Sequence, residues 1–325
     1  VRLVLLTDDG PADRGGVATW VRRVARAAVA RGDHVVVASR RGGGELAGGV
    51  HRAIGGPSFG RWGGVWAQTA WREVLAADLV VAATWPLATQ WVRWGVPVAV
   101  VAHGSDVTTP TRDPRGRRRV FELADRWFAV SAWVAAHVPR RVTVLPAPVE
   151  PATPGRGGGG WGFVGRAVEE KGGDTFVRWV AAAGVRGCVV GDGPHLGRWR
   201  SVARELGADV EFVGWLPPRE VRDRTRSWDL LCAPSRTRPD GSGGEGLSLA
   251  VLEAAAAAVP AVVTDVGGLP EAAGAEGLVV RAEAGADEVV AAVRRWWSPE
   301  RGAAARARVA RGCGAGRAVE GLTGR

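Results

Sequence analysis

The sequence predicts an α/β protein made of two doubly wound, Rossmann-like halves. Residues 2–38 run apolar strand, glycine-bearing loop, amphipathic helix and apolar strand, which is a βαβ unit. A glycine- and proline-rich stretch without apolar periodicity, Pro151 to Gly160 (PATPGRGGGG), interrupts the chain near its middle. A second strand–loop–helix series then starts at Trp161. The 325 residues leave room for two domains of about 150 residues each. The expected division is 1–151 for an N-terminal domain, 152–305 for a C-terminal domain, and 306–325 for a tail that crosses back to the first domain.

In the first half, Arg2 to Leu6 reads as a strand buried on both faces, because its apolar run is continuous rather than alternating. Thr7 to Gly16 is a loop. Val17 to Arg31 is a helix with Val17, Val21, Val24 and Ala28 on one face and Arg22, Arg23 and Arg26 outside. Gly32-Asp33 ends it, and His34 to Ala38 is the next strand. The loop closing at Gly15-Gly16 opens on a helix start and so suits a phosphate. It lacks a G-x-G-x-x-G, which argues against a nicotinamide site. Arg40 to Gly64 reads as irregular, Trp66 to Ala76 as helix, and Leu79 to Ala83 and Pro97 to Ala102 as strands. His103-Gly104-Ser105-Asp106 follows at once, placing His103 at the carboxyl end of a parallel strand, where α/β clefts open. An ordinary loop histidine would read the same way. Arg112 to Arg119 (RDPRGRRR), ahead of an amphipathic helix, is the densest basic run. A solvated face, an anionic membrane surface or a phosphorylated acceptor would each account for it. Trp127 to Val130 and Val142 to Leu145 complete the strands.

The second half begins with the strand Trp161 to Gly165, followed by Arg166 and, five positions on, Lys171, the only lysine in the chain. A guanidinium fork and an ammonium point charge at this spacing can together neutralise a diphosphate. A surface helix start is the alternative. Val185 to Val190 leads into Gly191-Asp192-Gly193-Pro194, and His195 to Leu206 is helical. Val210 to Val213 ends at Gly214-Trp215-Leu216-Pro217; Pro218 to Ser227 is a charged helix, and Asp229 to Ala233 a strand. A polar loop with Gly241, Gly243, Gly244 and Gly246 then carries Glu245, and Leu247 to Val259 is a good helix former closed by Pro260. Glu245 and Glu253 stand eight positions apart. Eight helical residues rise about 12 Å, so one carboxylate would sit at each end of a nucleotide-sized ligand whose diphosphate meets the helix start. A sheet-packed helix with one solvated and one capping glutamate has the same spacing. Gly277 to Val280 is a strand, Ala286 to Trp297 a helix, and Ala303 to Ala310 the candidate for the return crossing.

Composition narrows the class. The chain has no Met, Tyr or Asn, one Ile and 16 Trp. These absences follow AT-rich codons, so abundant Arg, Gly and Ala carry little information. The formal charge of +10 still needs its own reason, and nucleic acid, an anionic lipid surface or a phosphorylated substrate would each supply one. No RRM, KH, helix-turn-helix or zinc-finger spacing is present, so nucleic acid is not the expected partner. Cys188, Cys232 and Cys313 lack metal spacing and suit free thiols in a reducing compartment. Val1 to Leu6 is too short for a secretory leader. The apolar stretch Leu247 to Val263 is interrupted by Glu253 and Pro260, which excludes a membrane span. The expectation is a cytoplasmic protein with peripheral contact to an anionic inner membrane face through Arg112–Arg119.

GEGLSLAVLEA followed by VPAVVTDVGGLPEA resembles the E-x7-E region of the retaining glycosyltransferases of family four. The HGSD, the Arg166/Lys171 pair, the GDGP and the GWLP turn are similar to that family in the same order. Leu-Ser-Leu at 247–249 stands where many members have Phe-Gly-Leu. The resemblance implies a GT-B fold, in which two Rossmann-like domains face each other across a cleft. It also implies transfer of a sugar, with retention, from a nucleotide-diphospho-sugar to a glycan, lipid-linked or small-molecule acceptor. On it, His103 lies beside the donor sugar, Arg166 and Lys171 hold the diphosphate, and Glu245 contacts sugar hydroxyls. Glu253 takes the ribose, and the amides of Leu247 and Ser248 meet the phosphates. Gly15, Gly16, Gly165, Asp192, Gly193, Leu216 and Gly246 complete the donor-binding set. No Asp-x-Asp occurs, so neither metal nor cofactor is expected. A sugar-nucleotide epimerase of the same fold and a non-catalytic nucleotide-sugar binder are the alternatives.

Overall fold

The computed structural model describes residues 1–10, 13–40, 48–53, 71–238 and 245–325. The chain divides into two compact units, Val1–Pro148 with Cys313–Arg325, and Val149–Gly312. The first unit holds a seven-stranded sheet ordered β3-β2-β1-β4-β5-β6-β7. Its strands are β1 (Arg2–Thr7), β2 (His34–Ser39), β3 (Val50–Ala53), β4 (Leu79–Ala82), β5 (Val98–Ala102), β6 (Arg126–Ala129) and β7 (Thr143–Val144). Every paired strand is parallel. The continuous apolar runs are buried, as strands covered on both faces must be: Leu3 to Leu6 and Val98 to Ala102 are essentially inaccessible. β3 falls in the stretch expected to be irregular. It is a short edge strand in register with β2 from Val36↔Val50 to Ser39↔Ala53, too brief to show a period.

Helix α1 (Gly16–Ala30) buries Val21, Val24 and Ala28 as expected, but Arg23 lies inside rather than outside. Its guanidinium donates to the Pro148 carbonyl at 3.2 Å, so a chain carbonyl replaces the lost water. Helix α2 (Pro114–Leu123) begins within the basic run, not after it. Asp113 caps it by accepting from the Gly116 N–H at 2.8 Å, and Pro114 occupies the first helical position. Of the helix expected over 66–76, residues 71–76 are described: 71–75 are helical and Ala76 is a turn.

The second unit is a six-stranded parallel sheet ordered β10-β9-β8-β11-β12-β13. Its strands are β8 (Trp161–Val164), β9 (Gly187–Val190), β10 (Val210–Gly214), β11 (Leu230–Ala233), β12 (Ala261–Thr264) and β13 (Leu278–Val280). The helices of eight or more residues are α3 (Gly173–Ala183), α4 (Leu196–Leu206), α5 (Pro218–Thr225), α6 (Leu249–Ala256), α7 (Ala286–Trp296) and α8 (Pro299–Gly312). Phe163, Phe176, Trp179, Trp199, Leu230, Val262 and Val289 build one core under them. In each sheet the strand order reverses, at β1/β4 and at β8/β11. A crevice opens at such a switch, outside the carboxyl ends of the strands.

Two expectations about the boundary are corrected. Residues 155–160 form no free tether, because the second unit holds them. The N–H groups of Gly155, Arg156 and Gly159 donate to carbonyls of Ala257, Arg226 and Ser227, and those of Gly158 and Gly160 to the Asp229 carboxylate. The division therefore falls at 148/149 rather than 151/152. The alanine-rich segment 303–310 does not cross back. It belongs to α8, which packs on α6: Gly302 lies so close that a Cβ would come within 2.0 Å of the Ala258 carbonyl, and Arg306 donates to the Ala256 carbonyl. The returning element is α9 (Ala315–Thr323), which packs on α1 with Ala318, Val319 and Leu322 buried. Arg31 and Arg126 tie it down through Thr323 and the Leu322 carbonyl.

Candidate active site

Three loops at the carboxyl ends of β8, β11 and β12 gather the charged residues of the second unit. The β8 loop carries Gly165, the exposed Arg166 and the turn Glu169–Lys171. Gly172 closes that turn in the left-handed region (φ 65°) and lies against the Pro234 carbonyl, where a Cβ would come within 1.9 Å. The β11 loop carries Glu245; Gly241, Gly243 and Gly244 lie outside the described residues. The β12 loop supplies Gly267-Gly268: the Gly268 N–H donates to the Glu245 carbonyl at 2.6 Å, and Gly267 (φ 59°) leaves room for the Glu245 backbone. The Gly-Gly ahead of Leu269-Pro270-Glu271 thus seats the glutamate. Lys171 Nζ and Glu245 Oε2, 74 residues apart in sequence, form a half-buried ion pair.

Helix α6 begins two residues later than expected, at Leu249, and ends at Ala256 rather than Val259. Ser248 is its cap, with the hydroxyl accepting from the Val251 N–H at 3.5 Å. The first intrahelical bond is Leu252 N–H to the Ser248 carbonyl. The N–H groups of Leu247 to Ala250 lie ahead of that bond, at the positive end of the helix. Glu253 is the fifth helical residue, so the stretch between the two glutamates is part loop, part helix. At the end of β9, Gly193 (φ 152°) donates to Asp192 Oδ1 at 2.7 Å. The Asp192 carbonyl accepts from Ala167 N–H, lacing this loop to the one bearing Arg166. Leu216, half-buried, follows the end of β10.

In the first unit, Gly15 (φ 131°) caps α1 and Gly16 starts it, both exposed. His103 follows β5, edge-on to Trp20 of α1, with ring centroids 5.2 Å apart. Asp106 turns back and accepts from the His103 and Gly104 N–H groups at 3.0 and 2.9 Å. This is the physical reason for the His-Gly-Ser-Asp spacing, and sequence reasoning named only the histidine. Among the described residues, neither His103 Nε2 nor Asp106 Oδ2 has a hydrogen-bond partner, although both are buried. Burial lowers the His103 pKa from 6.5 to about 4. Burial raises that of Asp106 from 3.8 to about 6, against the lowering effect of the donated N–H groups.

The two shifts oppose each other in stability. Between about pH 6.5 and 4 the unfolded chain protonates its histidine and the folded one does not, so the His103 contribution weakens folding as pH falls. Between about pH 6 and 3.8 the folded chain holds the Asp106 proton and the unfolded chain does not, so this contribution strengthens folding over nearly the same window. Asp106→Asn is expected to make Tm fall more steeply than wild type from pH 6.5 to 4, and His103→Gln less steeply. Parallel Tm curves for all three proteins would contradict the assignment.

Among the described residues no group of His, Cys, Asp and Glu could hold a metal ion. None of the three cysteines forms a disulfide; Cys188 and Cys232 are buried and Cys313 is half-buried. No described helix is long and apolar enough to cross a membrane.

Two Rossmann-like units, each a parallel sheet with flanking helices, place the chain in the GT-B class, and the comparisons agree. The family model for glycosyl transferases group 1 matches residues 160–298, and that for glycosyltransferase family 4 matches residues 14–155. The chain belongs to the family 4 glycosyltransferases. A GDP-mannose-dependent alpha-(1-6)-phosphatidylinositol monomannoside mannosyltransferase of Mycobacterium tuberculosis is 37% identical over 113 residues, covering 33% of this chain and 29% of that protein. A 2-deoxystreptamine glucosyltransferase of Streptomyces kanamyceticus is 31% identical over 201 residues, 58% of this chain and 49% of that one. The matches thus span half or less of the length of these relatives. Among solved structures, sucrose-phosphate synthase from Thermosynechococcus elongatus superposes with a TM-score of 0.77 at 17% identity, covering 99% of this chain and 97% of that one. Anabaena HepE in complex with UDP gives 0.77 at 16% identity, covering 99% and 98%. At these identities the superpositions speak for the fold alone.

Proposed function

We propose that this chain transfers a sugar from a nucleotide-diphospho-sugar to an acceptor, with retention of the anomeric configuration. The observation that carries the proposal is the Lys171–Glu245 ion pair at the β8/β11 switch point, one cation and one carboxylate held where a donor's diphosphate and sugar would meet. As the glycosidic bond breaks, negative charge grows on the departing diphosphate. Arg166, Lys171 and the N–H groups at Leu247 and Ser248 stabilise that charge, and an interaction that strengthens with the charge lowers the barrier. Glu245 holds sugar hydroxyls, Glu253 holds the ribose, and Gly165, Asp192, Gly193, Leu216 and Gly246 shape the donor pocket. By the family resemblance, His103, neutral at pH 7 because it is buried, and Gly15 and Gly16 are the donor-binding residues of the first unit.

GDP-mannose and UDP-glucose are the donors to try first, since the mannosyltransferase relative is GDP-mannose-dependent and HepE is found with UDP. The acceptor class is a lipid-linked or small polyol. For a lipid-linked acceptor, the exposed Arg115, Arg118 and Arg119 of α2 suit an anionic membrane surface. The test incubates each donor with and without inositol, phosphatidylinositol and aminocyclitol acceptors, following the anomeric proton of the product. Acceptor-dependent transfer with retention is the expected result. Conversion of the donor without any acceptor would instead indicate an epimerase.

A further inference from the structure

The turn that presents Lys171 is gripped from one side by the segment that follows β11. Arg236 reaches across with its guanidinium to the carboxylate of Asp174, at 3.0 and 3.3 Å from Nη2 and 3.3 Å from Nη1. Its backbone N–H donates to the Glu170 carbonyl at 2.9 Å. Two residues on, Arg238 Nη2 meets Glu170 Oε2 at 3.1 Å. Gly172, between these contacts, is pressed against the Pro234 carbonyl. All of these contacts fall on residues 170, 172 and 174, flanking Lys171, and the lysine's own ammonium is left to Glu245.

Asp174 is buried, with only 7% of its surface exposed, in the first turn of α3. A carboxylate there is costly unless it is matched by a guanidinium fork, and a lysine could not supply the same paired geometry. Arg198, 4.0 Å away and mostly exposed, is a weaker second partner. Burial alone would raise the Glu170 carboxyl, but its own backbone N–H and Arg238 more than offset that and hold it below the usual range. Both carboxylates flanking Lys171 are therefore satisfied by the arginines. Neither competes with a ligand for the ammonium.

We infer that Arg236 is a positioning residue: through Asp174 and Glu170 it sets the backbone of Lys171 at the donor diphosphate and ties it to the strand end that leads to Glu245. The inference rests on the donor-binding reading above, and its test separates the two. Arg236→Met keeps the aliphatic stem and removes the fork. Arg236→Met/Asp174→Asn also removes the buried carboxylate left behind, so that a loss due only to an orphaned charge is reversed. Calorimetry with GDP and GMP, and with UDP and UMP, reads the position of the lysine, because only the diphosphates reach its subsite.

Both variants are expected to bind the preferred nucleoside diphosphate roughly tenfold more weakly, with the monophosphate unchanged. Recovery of wild-type diphosphate affinity in the double variant would overturn the inference and leave the pair a means of neutralising Asp174. A parallel loss of monophosphate binding would overturn it in favour of general loosening. Failure of the wild-type protein to bind either diphosphate would instead overturn the donor-binding reading.

Discussion

Lys171→Ala is expected to weaken nucleoside diphosphate binding by about 1.5–3 kcal/mol, the scale of a hydrogen bond to a charged group. That is roughly a ten- to 150-fold rise in Kd. Without donor, the ammonium is paired with Glu245 in a half-buried position. On the proposed reading a diphosphate, which carries more charge than one carboxylate, draws the lysine toward it, and Arg166 on the same loop adds a second cation. Removing Lys171 leaves Glu245 without this partner, facing the growing negative charge, so the effect on turnover should exceed the effect on binding. Lys171→Ala/Glu245→Ala isolates the lysine's own share, because the carboxylate is gone with it. Calorimetry on the folded variants decides: an unchanged Kd for the diphosphate would remove Lys171 from the phosphate site.

The two glutamates are expected to fail in different ways. Glu253→Ala should weaken every ligand that contains the nucleoside, including the bare nucleoside diphosphate, by roughly the 1.5–3 kcal/mol of a charged hydrogen bond. Glu245→Ala should leave diphosphate affinity intact or tighter, since it frees Lys171 from its ion pair, while turnover with the full donor falls. The expected division follows from where the two residues lie. The start of α6 lies between the two residues: Glu245 precedes it in a loop seated by Gly267 and Gly268, and Glu253 lies on the helix itself. Equal loss of diphosphate binding in both variants would make the glutamates structural rather than ligand-facing.

Much of this was legible in the residues, for a physical reason. Parallel strands covered on both faces are continuous apolar runs, so Leu3 to Leu6, Val98 to Ala102 and Leu230 to Ala233 mark the sheets. Ligand crevices open after such strands, which is why His103, Arg166 and Lys171, each just past one, were singled out as candidates. What stayed hidden depended on contacts distant in sequence. Arg236 and Asp174 are 62 positions apart, and nothing local pairs them. Segments 303–310 and 315–323 are both helical and rich in small residues. The close approach of Gly302 to Ala258 assigns the first to the second unit, while Ala318, Val319 and Leu322 fill the face of the second against α1. The end of α6 was missed because a run of alanines carries no stop signal. Ala258 takes the left-handed conformation (φ 59°) usually left to glycine.

The most direct measurement of the central claim is calorimetric titration of the wild-type protein with GDP, UDP and ADP in metal-free buffer, beside Lys171→Ala and Glu253→Ala. The account predicts one-to-one binding of one diphosphate by the wild-type protein, weakened in both variants. Folded wild-type protein that binds none of the three, or variants that bind as tightly as wild type, would contradict it.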